Sequence, residues 1–102
     1  MNLKEYHKIL NFCIENNTSL VAVSKTKPIE DIQTLYAENQ RIFGENKVQE
    51  LVEKQALLPQ DIQWHFIGHL QKNKVKYIAP FVALIHAIDS LSLLKEINKN
   101  FE

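Results

Sequence analysis

The amino-acid sequence predicts an α/β fold built from parallel β/α units of a TIM barrel, and three observations lead there. The hydrophobic period switches back and forth between helical and extended along the chain. The extended runs begin near residues 20, 41, 63 and 82, each followed by a helical segment, and such alternation implies a parallel sheet joined by right-handed crossovers. No glycine-rich phosphate fingerprint follows the first run, which argues against a dinucleotide-binding Rossmann unit. A complete (β/α)8 barrel takes roughly 250 residues. The 102 residues here accommodate about four of its eight units, a half-barrel, behind one leading helix.

Each element has its own signal. Leu3, Tyr6, Ile9, Leu10, Cys13 and Ile14 recur at helical spacing, and Asn16-Asn17-Thr18 supplies the stop. A first strand follows at about 20–24. Pro28 suits the first position of the next helix, whose buried stripe is Ile29, Ile32, Leu35 and Tyr36. Arg41-Ile42-Phe43 reads as a short second strand. Beyond Gly44-Glu45-Asn46, Val48, Leu51, Val52, Gln55 and Leu58 form the inner face of a helix that ends near Pro59. The third strand is Gln63-Trp64-His65-Phe66-Ile67, followed by Gly68 and a helix over 71–78. The fourth is Ala83-Leu84-Ile85-His86-Ala87, after which Asp89 or Ser90 can cap a final helix through Leu93, Leu94 and Ile97.

Composition narrows the function. With 45% hydrophobic residues in 102, the chain supports one domain with a modest core. Twelve basic and twelve acidic residues cancel, so no global field draws it to nucleic acid or to an acidic membrane surface. Cys13 is the only cysteine, which excludes an internal disulfide and any multi-cysteine metal site and fits a reducing compartment. The N-terminus lacks an apolar signal core, and no run approaches the ~18 apolar residues of a membrane span. These features predict a cytoplasmic chain.

Lys25 is the most informative residue, because it stands where the apolar run 20–23 stops and a helix is about to begin. Side chains alternate along an extended run, so Val21, Val23 and Lys25 share a face, and Lys27 keeps it if the chain stays extended to Pro28. Two ammonium groups about 6 to 7 Å apart repel by about 2 kcal/mol at an effective dielectric of about 20, enough to depress a lysine pKa. A partly neutral lysine is what imine chemistry requires. A solvated lysine at a strand end fits the same segment. Gly44 and Gly68, the only glycines, also fall just past predicted strand ends, the rim where parallel α/β folds bind ligands.

Other residues admit two readings. Asn46, with Gln49 three residues on, makes a capping-box-like helix start. His65 and Ile67 share one side of the third strand, where a histidine either lines a barrel interior or is simply packed. His65 and His69 are four apart, but a strand end and Gly68 separate them, which does not make a zinc pair. Lys72, Lys74 and Lys76 read as the solvated face of an outer helix, and the aromatic residues near them as packing rather than base-stacking platforms.

Three segments carry a family resemblance: Val21-Ala22-Val23-Ser24-Lys25-Thr26-Lys27-Pro28, Phe43-Gly44-Glu45-Asn46-Lys47-Val48-Gln49-Glu50 and Trp64-His65-Phe66-Ile67-Gly68-His69-Leu70-Gln71-Lys72-Asn73-Lys74. In this order they resemble the signatures of the YggS/PROSC family of pyridoxal phosphate homeostasis proteins, and the likeness continues through His86-Ala87-Ile88-Asp89-Ser90. The resemblance implies a barrel like the N-terminal domain of alanine racemase. It implies pyridoxal 5′-phosphate (PLP) held as a Schiff base in a protein that is usually monomeric, without robust catalysis, and that buffers PLP for client enzymes and influences amino-acid and keto-acid balance. Lys25 then matches the Schiff-base lysine, Lys27 the second lysine that tunes it, Asn46 a contact near the cofactor ring, and His65 a residue lining the barrel beneath it.

The chain also departs from that pattern. Barrels of this kind grip phosphate with loops after the seventh and eighth strands, and the family's C-terminal serine, arginine and glycine-rich phosphate contacts have no counterpart here. The expectation is one barrel domain represented by its N-terminal part, residues 1–102, with weakened cofactor retention and open sheet edges prone to self-association. A non-binding fragment or interaction module is the alternative reading. A PLP-dependent amino-acid racemase is another, but it needs a second acid/base, and Tyr36 and Tyr77 are both expected on helices away from the rim.

Overall fold

The computed structural model describes residues 2–86 and 91–101. Its elements are α1 (Leu3–Glu15), β1 (Ala22–Val23), α2 (Ile29–Ala37), β2 (Ile42–Glu45), α3 (Val48–Leu57), β3 (Gln63–Phe66), a 3-10 turn (Lys72–Lys74) running into α4 (Val75–Ile78), β4 (Val82–Ile85) and α5 (Leu91–Phe101). The strands form one parallel sheet in the order β1-β2-β3-β4. Sequential order without a reversal is the winding of a barrel wall, not of a doubly wound sheet with its switch point.

Local chemistry sets the boundaries. Asn2 caps α1 by accepting the Glu5 N–H at 3.0 Å. Asn17 and Asn39 follow α1 and α2 in the left-handed region, at φ 53 and 73, which asparagine tolerates better than most residues. Pro28, expected as the first helical residue, is instead the extended cap of α2, with ψ 160. β1 is shorter than expected because the chain turns at Lys25, whereas β2 runs on through Gly44 and Glu45, so Gly44 lies inside a strand rather than beyond its end. The helix expected over 71–78 is a 3-10 turn followed by a single α-helical turn. β4 is described as far as Ile85. The expected strand end at Ala87 and the cap at Asp89 or Ser90 lie outside the described residues.

Register partners in a parallel pair face the same side, so side chains fall into rows across the sheet. Ala22, Phe43, Trp64 and Val82 form one row, and the row two residues on contains Glu45, Phe66 and Ile85. Both face the helices. There Phe43, Trp64 and Phe66 are buried against Ile32 of α2, Leu51 of α3 and Ile78 of α4, each large side chain contributing about 1.5–3 kcal/mol by leaving water. The intervening row, Val23, Gly44, His65 and Leu84, lies on the opposite face, where Val23 is 52% and Leu84 51% exposed. Among the described residues, helices therefore cover one face of the sheet only.

Two helix faces differ from expectation. In α1 only Cys13 is buried, while Ile9 and Ile14 of the expected stripe are exposed. The helix touches the body through polar contacts, Tyr6 Oη donating to Gln40 Oε1 at 2.7 Å and His7 facing Glu38 at 3.2 Å. In α3 the buried residues are Leu51 and Lys54, followed by Leu58 just past its end, with Val52 exposed.

Leu51→Ala, on the helix-covered side, is expected to cost about 2–5 kcal/mol. Leu84→Ala, on the open face, should stay within about 0.5 kcal/mol. Urea unfolding of both variants checks this. Equal losses would mean that something covers the open face in solution.

Candidate functional site

Lys25 sits in a hydrogen-bonded turn rather than on an extended strand. Ser24 N–H still pairs with Gly44 O at 2.9 Å, but Lys27 N–H then closes back on Ser24 O at 3.0 Å, and Thr26 adopts φ 61. The left-handed region costs a β-branched residue about 1–2 kcal/mol, so surrounding contacts must hold this turn. The extended geometry that would set Lys25 and Lys27 on one strand face is absent. Both are exposed, and Lys27 lines a cavity of about 70 Å³ together with Asp31 and Leu35 of α2.

Beneath the turn lies a charged cluster that sequence reasoning missed. Lys54 of α3 is buried, as is Glu45 of β2, and Lys54 Nζ donates to Glu45 Oε2 at 2.9 Å, to Glu50 Oε2 at 2.9 Å and to Ser24 O at 2.7 Å. These use all three of its donors. Ser24 Oγ donates to Glu45 Oε2, and Thr26 N–H donates to Glu50 Oε2 at 2.9 Å. The Lys54 hydrogen bond, reinforced by the Thr26 N–H and the charges of Lys54 and Lys47, holds the Glu50 carboxyl below its ordinary range against the opposing effect of burial. Glu45 Oε1 is left buried without a hydrogen-bond partner. An incompletely satisfied buried ion pair is a costly element. A signal existed in the sequence: Glu50 and Lys54 stand at i,i+4, and Lys54 falls between Leu51 and Leu58 on the same helical stripe.

Asn46 follows β2 directly. It does not cap α3, whose cap is Lys47 without a side-chain bond, and Gln49 instead reaches Glu53 at 3.4 Å. The capping-box reading therefore fails, and Asn46 Oδ1 is buried without a hydrogen-bond partner. Gly68 explains how the residue is seated, because a Cβ there would stand 2.6 Å from Asn46 O and 2.7 Å from Asn46 Cβ. Only a glycine admits that approach. Asn46 also lines a groove of about 630 Å³ between α3 and the 3-10 turn and α4, shared with Lys47, His69 and Tyr77. Tyr77, expected away from the rim, thus shares a groove with Asn46. Lys25, Lys27 and His65 do not line it.

His65 lies on the open face of β3, half-buried, and pairs with His86 rather than His69: His65 Nδ1 and His86 Nε2 are 3.0 Å apart. Burial first, then the neighbouring His86, lowers its pKa from the ordinary 6.5. Lys25, Asn46, Gly68 and His86 all follow the C-terminal ends of their strands, so the topology gathers them along one edge of the sheet. Among the described residues no group of three or more metal-ligating side chains forms, nor is any helix long and apolar enough to cross a membrane.

Gly68→Ala should cost about 1–3 kcal/mol through overpacking and displace the Asn46 amide resonance; unchanged stability and spectrum would contradict the contact. A histidine whose folded pKa lies below its unfolded value takes up a proton more readily when unfolded. The stability linked to His65 is therefore complete above pH 6.5 and falls as pH drops from 6.5 toward the depressed folded value. NMR titration of the His65 ring, with His86→Ala shifting its midpoint upward, checks the cause.

Comparison with protein-family profiles gives no match. The pyridoxal phosphate homeostasis protein of Aquifex aeolicus (strain VF5) is 48% identical over 86 residues, which is 83% of this chain and 38% of that protein. The human protein of the same name is 44% identical over 91 residues, 81% of this chain and 33% of that one. PipY of Synechococcus elongatus PCC7942, solved with PLP bound, superposes with a TM-score of 0.75 at 42% identity, over 80% of this chain and 40% of PipY. Its structure without PLP gives 0.76. The chain thus spans between 33% and 38% of the length of these curated relatives. With that identity carried across four-fifths of its residues, on the same succession of parallel β/α units, the chain belongs to the pyridoxal phosphate homeostasis protein family.

Proposed function

We propose that this chain is the lysine-bearing part of a PLP-binding homeostasis protein, with Lys25 the residue that holds the cofactor as a Schiff base. The observation that carries this reading is the Ser24–Lys27 turn: Lys25 stands exposed at its tip, at the C-terminal edge of a parallel sheet, over a buried cluster that bonds the turn's backbone. The PLP-bound PipY structure supports the choice of cofactor.

PLP supplies an aldehyde that condenses with a primary amine, one water being released for each C=N bond formed. The chain's own residues do the rest. Lys25 contributes the amine, and its exposure leaves it reachable. Asn46, with its amide oxygen unpartnered and its backbone seated against Gly68, is the residue at the next strand end able to hydrogen-bond the ring. His65 and His86 line the open face below. Lys27 is close in sequence to Lys25, and its part in tuning that amine belongs to this reading without the extended geometry first expected. Arg41, the single arginine, is engaged by Asp61 at 3.1 Å and Tyr36 O at 2.8 Å before β2, at the opposite end of the sheet. In this reading residues 1–102 are the N-terminal section of the family's barrel, and the phosphate grip is assigned to the loops after its seventh and eighth strands. A cytosolic setting, delivery of PLP to client enzymes and an influence on amino-acid and keto-acid balance complete the proposal.

A second reading, an interaction module that binds no cofactor, is favoured by one observation: Val23 and Leu84 lie exposed on a sheet face that no helix covers among the described residues.

The deciding experiment mixes the purified chain with PLP, records the visible spectrum, reduces with borohydride and locates the adduct by mass spectrometry, with Lys25→Ala as control. A single pyridoxyl adduct at Lys25, absent from the variant, is expected. Adducts scattered over several lysines, or none, would refute a specific site in this chain, and light scattering that showed self-association would then favour the interaction module.

A further inference from the structure

Lys25 is flanked by two peptide groups, and helix α3 bonds to both of them. On its N-terminal side the Ser24 carbonyl accepts from Lys54 Nζ at 2.7 Å, and on its C-terminal side the Thr26 N–H donates to Glu50 Oε2 at 2.9 Å. Lys54 Nζ and Glu50 Oε2 are themselves joined at 2.9 Å, one helical turn apart. The two grips are therefore one device. Glu45 Oε2, 2.9 Å from Lys54 Nζ, fixes its inner end to β2. A core ion pair needs no bond to a turn at the sheet edge, yet here one ammonium donor and one carboxylate oxygen are directed at the backbone that carries the exposed amine.

We propose that Lys54 and Glu50 are positioning residues: they clamp the peptide groups on either side of Lys25, hold Thr26 in its left-handed conformation, and so give the Lys25 amine one direction of departure from the sheet edge. This inference rests on the reading of Lys25 as the cofactor lysine and names the residues that make that lysine selective. Lys54 is buried and its loss strands Glu45, so Lys54 variants report on folding as much as on position. Glu50 is the separable half, since its side chain is 24% exposed and the Lys54–Glu45 bond does not depend on it.

The test compares Glu50→Ala, Glu50→Gln and the control Glu53→Ala, whose side chain accepts from Gln49 on its own helix at 3.4 Å. Two quantities are read: amide hydrogen exchange at Thr26 relative to Trp64 and Phe66 in the core strand, and the share of borohydride-trapped PLP adduct found on Lys25. For Glu50→Ala we expect Thr26 to exchange about tenfold faster or more while the core amides keep their rates, as in local opening without unfolding, and the Lys25 share to fall. Glu50→Gln should recover most of both, because its amide oxygen still accepts from Thr26 N–H. Glu53→Ala should match the parent chain. Unchanged Thr26 exchange in Glu50→Ala would overturn the clamp, and a faster Thr26 with the Lys25 share intact would overturn its positioning role. A parent chain without a Lys25 adduct would sink the cofactor reading instead, while the exchange arm, which involves no PLP, still tests the clamp.

Discussion

The buried charge of Lys54 is the constraint from which the arrangement of the site follows. An ammonium group taken out of water must have its donors met, and three oxygens from β2, α3 and the turn after β1 meet them. To do so the Ser24 carbonyl must point inward, the chain must turn at Lys25, and Glu50 must lie within reach of the Thr26 N–H. One interior charge thereby couples the first β/α unit to the second at the edge of the sheet where ligands of parallel α/β folds bind.

The same sheet divides its duties by face. Rows of register partners put Phe43, Trp64 and Phe66 under the helices, and these supply the hydrophobic stabilisation. The alternate row, with Val23, His65 and Leu84, stays open. In a closed barrel that face is the interior, and here it carries a histidine pair, aliphatic side chains and one glycine. The strand ends are followed in turn by Lys25 after β1, Asn46 after β2, Gly68 after β3 and His86 after β4. The groove of about 630 Å³ lies between α3 and α4 and includes Asn46 but not Lys25 in its lining. Asn46 is seated against Gly68 and lines that groove.

Much of this was legible in the sequence, for identifiable reasons. The fold class follows from alternation of hydrophobic period, a local property, and all four strands fall where that period is extended. Lys25 and Asn46 stand out because each sits where a strand pattern gives way to a helix pattern. Boundaries were less legible. Gly44 and Glu45 read as a loop, yet they are strand residues because β1 and β3 on either side satisfy their backbone. Ile9 and Ile14 carry the helical period but remain exposed, since periodicity says which residues share a face and not whether anything packs on it.

By itself, then, the sequence determined the succession of β/α units, the balance of charge and the residues at the strand ends. Tertiary structure alone decided that Lys54 is buried, that Glu45 and Glu50 meet it, that Asn46 does not cap its helix, and that His65 faces His86 across 21 positions of chain. The reason is physical. Hydrophobic period is written in neighbouring residues, whereas the partner of a buried charge comes from whichever strand or turn the packing brings within about 3 Å, and a hydrogen bond of that length leaves no trace in local composition.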